Sequence, residues 1–358
     1  MTHEPLKGRA AWHGKDLDAS SDWILTLDDT QRREIDHALT RIKRAGVPPL
    51  GFTRDDFPLS STADLLSQIS DELENGRGMV RLRGLPVERY CDDDIRQIFW
   101  GIGTHLGTAV YQNARAEIMG EVRDETKLPT KTYAPLEEGK ITSSRARARS
   151  TGPLRWHTDR CDVIALLCVR NAKAGGISKL TSIVTIYNEI LRRRPDLLEL
   201  LCQDYWRARP TDEDGPTSSR AFALPVFGVQ DGRLTCQYSR TYVEQAQEFP
   251  EVPRLTSAQI EALDLLAAVA EEVCLYSPFV PGDIQVLNNH VIFHGRTAYE
   301  DDSASHQERL LFRLWLSMPN SRLLPRGFED FWGSADAGAL RGGVIQPSTG
   351  DRVPLTAA

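Results

Sequence analysis

At 358 residues with 41% hydrophobic content, the chain can bury a large core, and length alone permits one elaborated domain or two. Its 43 Lys and Arg against 50 Asp and Glu leave a formal charge of -7, which argues against nucleic acid as the main partner. No run of about 18 apolar residues is present to cross a membrane. The six cysteines, Cys91, Cys161, Cys168, Cys202, Cys236 and Cys274, fall in no metal-ligand spacing. With no basic and apolar leader pattern at the N-terminus, they predict reduced thiols in a cytoplasmic protein.

In chain order, Thr26 to Gly46 predicts a helix, with Ile35, Ala38, Leu39 and Ile42 on one buried stripe and Gly46, Pro48 and Pro49 as its stop. A second helix follows Ser61, burying Leu65, Leu66, Ile69 and Leu73, and Asn75-Gly76 leads into a strand from Met79 to Leu85. A third helix groups Ile95, Ile98, Phe99 and Ile102. From Thr126 to Pro153 large apolar residues almost vanish, as expected of an active-site lid. Its Arg145, Arg147 and Arg149 read as a solvated loop or as capture of an anionic substrate.

Ile164 to Val169 and Ser178 to Val184 read as strands, and Ile186 to Leu201 as a helix with Arg192, Arg193 and Arg194 on its solvated face. Asp231-Gly232, between Phe222 to Val229 and Arg233 to Ser239, is a hairpin signal because both turn positions require positive φ. Thr256 or Ser257 can cap a helix carrying Ile260, Leu263, Leu266 and Ala267. Strands return at Cys274 to Val280, Ile284 to Leu287 and Leu310 to Met318. The sum is an α+β chain with a mainly β core, a jelly roll braced by flanking helices. Without a regular strand-helix repeat or a Gly-rich dinucleotide loop, a doubly wound fold is disfavoured. The whole chain, 1–358, is read as one domain.

His157-Thr158-Asp159, behind Trp156, is the first chemical signal. Two residues apart on a strand, the imidazole and carboxylate share a face and can reach one metal. Alone the pair also fits a surface histidine bonded to a nearby acid. The second cluster, Asn288 to Thr297 with His290 and His294, precedes Arg309 and Arg313. Two imidazoles and one carboxylate occupy one face of octahedral iron(II) and leave the other face open for oxygen chemistry. His290 and His294, four apart on a strand, share a face, so periodicity does not choose between them. His3, His13, His37, His105 and His306 have no ligand partners at suggestive spacing.

As an ordered set, Trp156 to Asp159, Gly175-Gly176-Ile177-Ser178, His294-Gly295-Arg296, and Arg309 with Arg313 resemble the TauD/TfdA (taurine dioxygenase-like) family of iron(II)- and 2-oxoglutarate-dependent dioxygenases. The resemblance runs from about Val80 to Leu316 and implies a double-stranded β-helix. It implies His157, Asp159 and His294 as iron ligands, the Gly-Arg that follows His294 deciding against His290. Arg313 would pair bidentately with the distal carboxylate of 2-oxoglutarate. Arg309 would lie near that cosubstrate and Ser178 would offer it a hydroxyl, where the family usually has Thr. Asp159 supplies the carboxylate ligand that halogenating relatives lack, so the expected reaction is hydroxylation or a related C–H oxidation with O2, releasing succinate and CO2.

The substrate is expected to be a small molecule, with Gln112, Asn113, Arg160 and the lid arginines as candidate contacts; Arg160 could instead pair with Asp162. Neither nucleic acid nor membrane is expected as a partner, and a homo-oligomer fits the family. A zinc hydrolase on the same His-Asp-His set, a non-catalytic 2-oxoglutarate sensor and a purely structural protein remain as alternative readings.

Overall fold

Strand Leu310–Ser317 shows how sequence alternation builds this molecule. Leu310, Phe312, Leu314 and Leu316 join the core beneath the N-terminal helices, whereas Arg313 and Trp315 project from the opposite face. The computed structural model describes residues 4–128, 144–209, 220–305, 307–346 and 348–354, with the side chains of Ser144 and Arg145 outside that set. Leu310–Ser317 lies in a seven-stranded sheet ordered Ile24–Thr26, Met79–Arg83, Ile284–Asn288, Val163–Arg170, Leu310–Ser317 and Thr108–Ala109, with Met119–Val122 also paired to Leu310–Ser317. A four-stranded sheet, ordered Leu275–Ser277, Ser178–Ser182, Ile292–Arg296 and Leu154–His157, faces it.

Strands from opposite ends of the chain are neighbours in both sheets, which is the expected double-stranded β-helix. Helices Asp29–Ala45, Ala63–Asn75 and Asp92–Leu106 bury their apolar stripes on the outside of the larger sheet. Helices Ile183–Arg193, Pro195–Leu201 and Ser257–Val273 do the same on the smaller one. The interior between the sheets holds polar side chains such as Ser178, Gln285 and Arg309 alongside the apolar Leu311 and Trp315.

Local chemistry sets the element ends. Asp28 with Gln31 and Thr256 with Gln259 form capping boxes, and Gly46 ends the first long helix at φ 64°. Asp231 and Gly232 adopt φ 51° and 74° in the hairpin joining Phe227–Gln230 to Arg233–Cys236. Ala221–Pro225 leaves that hairpin and pairs with Asp204–Ala208 instead.

Two expected elements divide differently. The strand expected from Ser178 to Val184 stops at Ser182, whose side chain caps a helix beginning at Ile183. That helix ends at Arg193, and Pro195 opens a new one, because proline lacks the N–H that a helix interior requires. Much of the lid expected over 126–153 lies outside the described residues.

Candidate active site

Antiparallel pairing places His157, the last residue of Leu154–His157, directly opposite His294 in Ile292–Arg296. Their rings stand 4.2 Å apart between centroids, tilted by 50°. Asp159 follows the first strand, its Oδ1 3.8 Å from His157 Nε2 and its Oδ2 3.7 Å from His294 Nε2. One donor atom from each of the three lies within 4.8 Å of the others, the single such grouping among the described residues. These separations exceed hydrogen-bond length and suit donors that share a cation.

Neighbouring backbone fixes the donors. His157 Nδ1 lies 2.8 Å from the Arg155 carbonyl, a contact that needs the proton on Nδ1 and leaves the Nε2 lone pair toward Asp159. The Asp159 amide donates to Asn289 Oδ1 at 3.0 Å, and Asn289 Nδ2 donates to the Cys161 carbonyl at 3.1 Å. Trp315 Nε1 donates to Asp159 Oδ2 at 3.1 Å. His294 Nδ1 is buried with no partner among the described residues. Burial first, and His157 second, push the His294 imidazole down to about 3. Burial alone would raise the Asp159 carboxyl, but Arg313, the two imidazoles and the Trp315 N–H together hold it below the ordinary range.

His290 is elsewhere. The strand begins only at Ile292, and His290 sits in the preceding turn, so the alternation assumed for it does not hold. Its Nε2 meets Asp162 Oδ1 and its Nδ1 meets Thr235 Oγ1, each at 2.8 Å.

The two arginines occupy different environments on the inner face. Arg313 Nη1 is 3.9 Å from Asp159 Oδ2, and Arg313 Nε donates to Gln112 Oε1 at 2.8 Å. Arg309 is buried beside Tyr299, and both its Nη1 and the Tyr299 hydroxyl lack partners among the described residues. Gly176 makes room for it: a Cβ there would stand 3.1 Å from Arg309 Nε, on a backbone at φ 68° that favours glycine. Ser178, two residues on, is buried and accepts a hydrogen bond from Gln285 Nε2 at 3.0 Å. Arg296 reaches back to the Ser150 and Gly152 carbonyls at 2.7 and 2.6 Å, tying the segment before the His157 strand to the His294 strand.

A cavity beside His157 and Asp159 is lined by Gln112, Arg149, Arg160, Phe222, Arg313 and Phe331, among others. Arg149 is buried against Glu117 and Glu125, so it is an internal ion pair, neither a solvated charge nor an open capture site. The Arg145 side chain lies outside the described residues. Arg160 does not pair with Asp162; it lies 4.6 Å over the Phe331 ring and donates to the Phe331 carbonyl at 2.9 Å. Gln112 positions Arg313, and Asn113 bonds to Glu117 at 2.5 Å. His105 bonds to the Phe57 carbonyl at 2.8 Å, away from the cavity. His3 and His306 lie outside the described residues.

Phe331 and Val344 enter the cavity from the C-terminal segment, where no sequence period announced them. Trp315 lies two residues after Arg313, yet its bond to the Asp159 carboxylate follows only from which strands adjoin.

Residues 43–315 match the family described as "Taurine catabolism dioxygenase TauD, TfdA family". "FR-33289 synthase" of Streptomyces rubellomurinus is 32% identical over 345 residues, covering 92% of this chain and 96% of that protein. "Taurine hydroxylase-like protein SAT17" of Stachybotrys chartarum is 30% identical over 318 residues, covering 86% and 79% respectively. Among solved structures, an asparagine oxygenase complex with Fe(II), hydroxyasparagine and succinate superposes with a TM-score of 0.61 at 14% identity, covering 82% of this chain and 93% of that one. The non-haem iron oxygenase OrfP with Fe and alpha-ketoglutaric acid gives 0.60 at 13%, covering 88% and 99%. The chain belongs to the TauD/TfdA family. It is accordingly a non-haem iron(II)- and 2-oxoglutarate-dependent dioxygenase.

Proposed function

We propose that His157, Asp159 and His294 hold iron(II), that Arg309 and Ser178 hold the far carboxylate of 2-oxoglutarate, and that Arg313 faces an anionic group of the substrate. The observation that carries this reading is the convergence of three ligand atoms within 4.8 Å, together with a buried Arg309 whose Nη1 has no partner among the described residues. Both groups fit the residues present. Two imidazoles and a carboxylate with an open side suit iron(II). An unpartnered buried guanidinium N–H and phenol are costly unless a ligand completes them. When bound, iron(II) would let O2 act as the oxidant, one oxygen atom passing to the substrate C–H bond and the other to succinate as 2-oxoglutarate gives up two electrons and loses CO2.

This distribution exchanges the roles that family resemblance implied for the two arginines. Arg313 stands against Asp159 itself. Arg309, on the same face and roughly 13 Å of extended chain away, packs on Gly176 two residues from Ser178, where a cosubstrate carboxylate would find both donors. Arg313, steadied by Gln112, instead lines the substrate cavity beside Asp159. A guanidinium at that position suits an anionic group on a small substrate. Phe222, Phe331 and Trp315 supply apolar walls that limit water at the reacting position.

The six described cysteines, all unpaired, support work in the cytoplasm. The two facing sheets and their flanking helices support reading the chain as one domain. The acidic net charge supports a partnership with neither nucleic acid nor anionic membrane.

The test is anaerobic addition of iron(II), then 2-oxoglutarate, to the apo-protein, reading the weak visible charge-transfer band of the chelate. Arg309→Ala is expected to raise the 2-oxoglutarate concentration needed far more than Arg313→Ala does. Arg313→Ala should instead weaken substrate-stimulated succinate release in a screen of small carboxylates, sulfonates and phosphonates. No band from iron-loaded wild type would defeat the reading, and the reverse ranking of the arginines would restore the roles that the resemblance implied.

A further inference from the structure

The hydrogen bonds buried behind Ser178 run in one direction. Arg81, 1% exposed on strand Met79–Arg83, donates from Nη2 to Gln285 Oε1 at 2.8 Å. Gln285, on Ile284–Asn288, then donates from Nε2 to Ser178 Oγ at 3.0 Å. A guanidinium has donors and no acceptor, so only the oxygen end of the Gln285 amide can face Arg81. The NH2 end must then face Ser178. A serine hydroxyl carries one proton, and with its oxygen engaged as acceptor that proton is available for another partner.

The chain of bonds also crosses the molecule. Gln285 belongs to the seven-stranded sheet and Ser178 to the four-stranded one, so their bond spans the interior between them. Ser178 pairs in register with Arg296 and lies two residues from Gly176, against which Arg309 packs. Arg81 is held in turn by the Pro278 carbonyl at 2.6 Å and Asp283 at 3.4 Å, with the Phe279 ring 4.6 Å from its guanidinium carbon. The polar wire is thus anchored at its far end and open at Ser178.

We infer that Arg81 and Gln285 are positioning residues that orient Ser178 to donate its hydroxyl proton to the far carboxylate of 2-oxoglutarate. The inference rests on the cosubstrate reading above and deepens it. A hydroxyl free to rotate could present either its proton or its lone pairs to a ligand. One whose oxygen already accepts from Gln285 has one lone pair fewer to offer, which favours presenting the proton and so favours a carboxylate over a donor-bearing group.

The test is anaerobic titration of the iron(II)-loaded protein with 2-oxoglutarate, followed by the charge-transfer band. The variants are Gln285→Glu, Gln285→Leu and Ser178→Ala, with each Gln285 change also made in the Ser178→Ala background. Gln285→Glu offers one oxygen to Arg81 and the other to Ser178, which draws the hydroxyl proton away from the ligand. It is expected to weaken 2-oxoglutarate about 10- to 100-fold, close to the effect of Ser178→Ala, with Gln285→Leu smaller. Iron(II) affinity should not move. In the Ser178→Ala background either Gln285 change should lose most of its effect, since the two residues act through one proton. Equal penalties in both backgrounds would overturn the inference, as would unchanged 2-oxoglutarate affinity accompanied only by a lower melting temperature. Should Gln285→Glu fail to fold, the Gln285→Leu cycle alone carries the test. Absence of the band in iron-loaded wild type would instead overturn the cosubstrate reading, a distinct result.

Discussion

Two buried clusters of histidine and aspartate arise from the same two stretches of chain and differ in one respect. His290, Asp162 and Arg341 are closed on one another: Asp162 Oδ1 meets His290 Nε2 at 2.8 Å and Arg341 Nε at 2.7 Å, while its Oδ2 accepts from the Met318 amide at 3.0 Å. His157, Asp159 and His294 stay 3.7 to 3.8 Å apart across their imidazole–carboxylate contacts, and His294 Nδ1 has no partner among the described residues. Both clusters bear the burial cost of polar groups, but only the first repays it internally. The second is the one the proposed iron(II) would complete. Burial and residue type are shared, so the informative difference is satisfaction.

Removing one histidine from each cluster breaks the comparison most sharply. His294→Ala is expected to abolish both the charge-transfer band and substrate-dependent succinate, with a smaller change in melting temperature. His290→Ala should do the opposite: lower the melting temperature strongly while the folded fraction still binds iron(II). Metal analysis and calorimetry on the two variants read both effects, and loss of iron binding in His290→Ala alone would reverse the assignment of the clusters.

Next in size is the closed cluster's own anchor. Arg341 is fully buried, and besides Asp162 it donates from Nη2 to the Arg322 carbonyl at 2.8 Å. Arg341→Met keeps the stem and strands Asp162 beside a neutral histidine, and a broken buried pair of this kind costs about 3–5 kcal/mol. Denaturant unfolding measures it. A loss below about 1 kcal/mol, the range of exposed pairs, would show that solvent reaches this cluster.

The open cluster has a smaller handle in Trp315. Trp315→Phe retains the ring wall of the cavity and deletes the N–H that bonds Asp159 Oδ2. Outer partners of metal ligands are typically worth about 10- to 100-fold in metal affinity, and that loss is expected in an iron(II) competition assay. Unchanged affinity would mean that Arg313 and the Asn289 clamp suffice to hold the carboxylate.

How much of this was legible depends on what kind of information each feature needs. Alternation in Leu310–Ser317 and the stripe Ile35, Ala38, Leu39 and Ile42 are local patterns, and the structure follows them. Spacing brought His157 and Asp159 together because they are near in sequence, and the ordered motifs added His294. His290 misled because a turn, rather than continued strand, separates Asn288 from Ile292, and that break leaves no apolar signature. Pro195 marked a helix boundary that the apolar period ran straight through. The roles of Arg309 and Arg313 depend on which groups face them across the interior, and Arg341 acts from 179 residues away on Asp162. No local pattern encodes such partners.

Acid is the gentlest way to separate the clusters, because the closed one contains a titratable group that binds no metal. Burial holds His290 down to about 4, outweighing the opposing pull of Asp162. Unfolded, the same imidazole titrates near about 6.5. Between those values the unfolded chain binds the proton that the folded one refuses, so stability falls as pH drops through this window and levels off below it. The contribution from His290 amounts to about 2 kcal/mol between neutrality and pH 5. Chemical denaturation of the metal-free protein at several pH values reads the slope, and His290→Gln should flatten it while lowering stability at pH 7. A slope unchanged by that substitution would place the acid sensitivity in the open cluster, where His294 is depressed further still. Added iron(II) would then steepen it, since protons and metal compete for the same imidazoles.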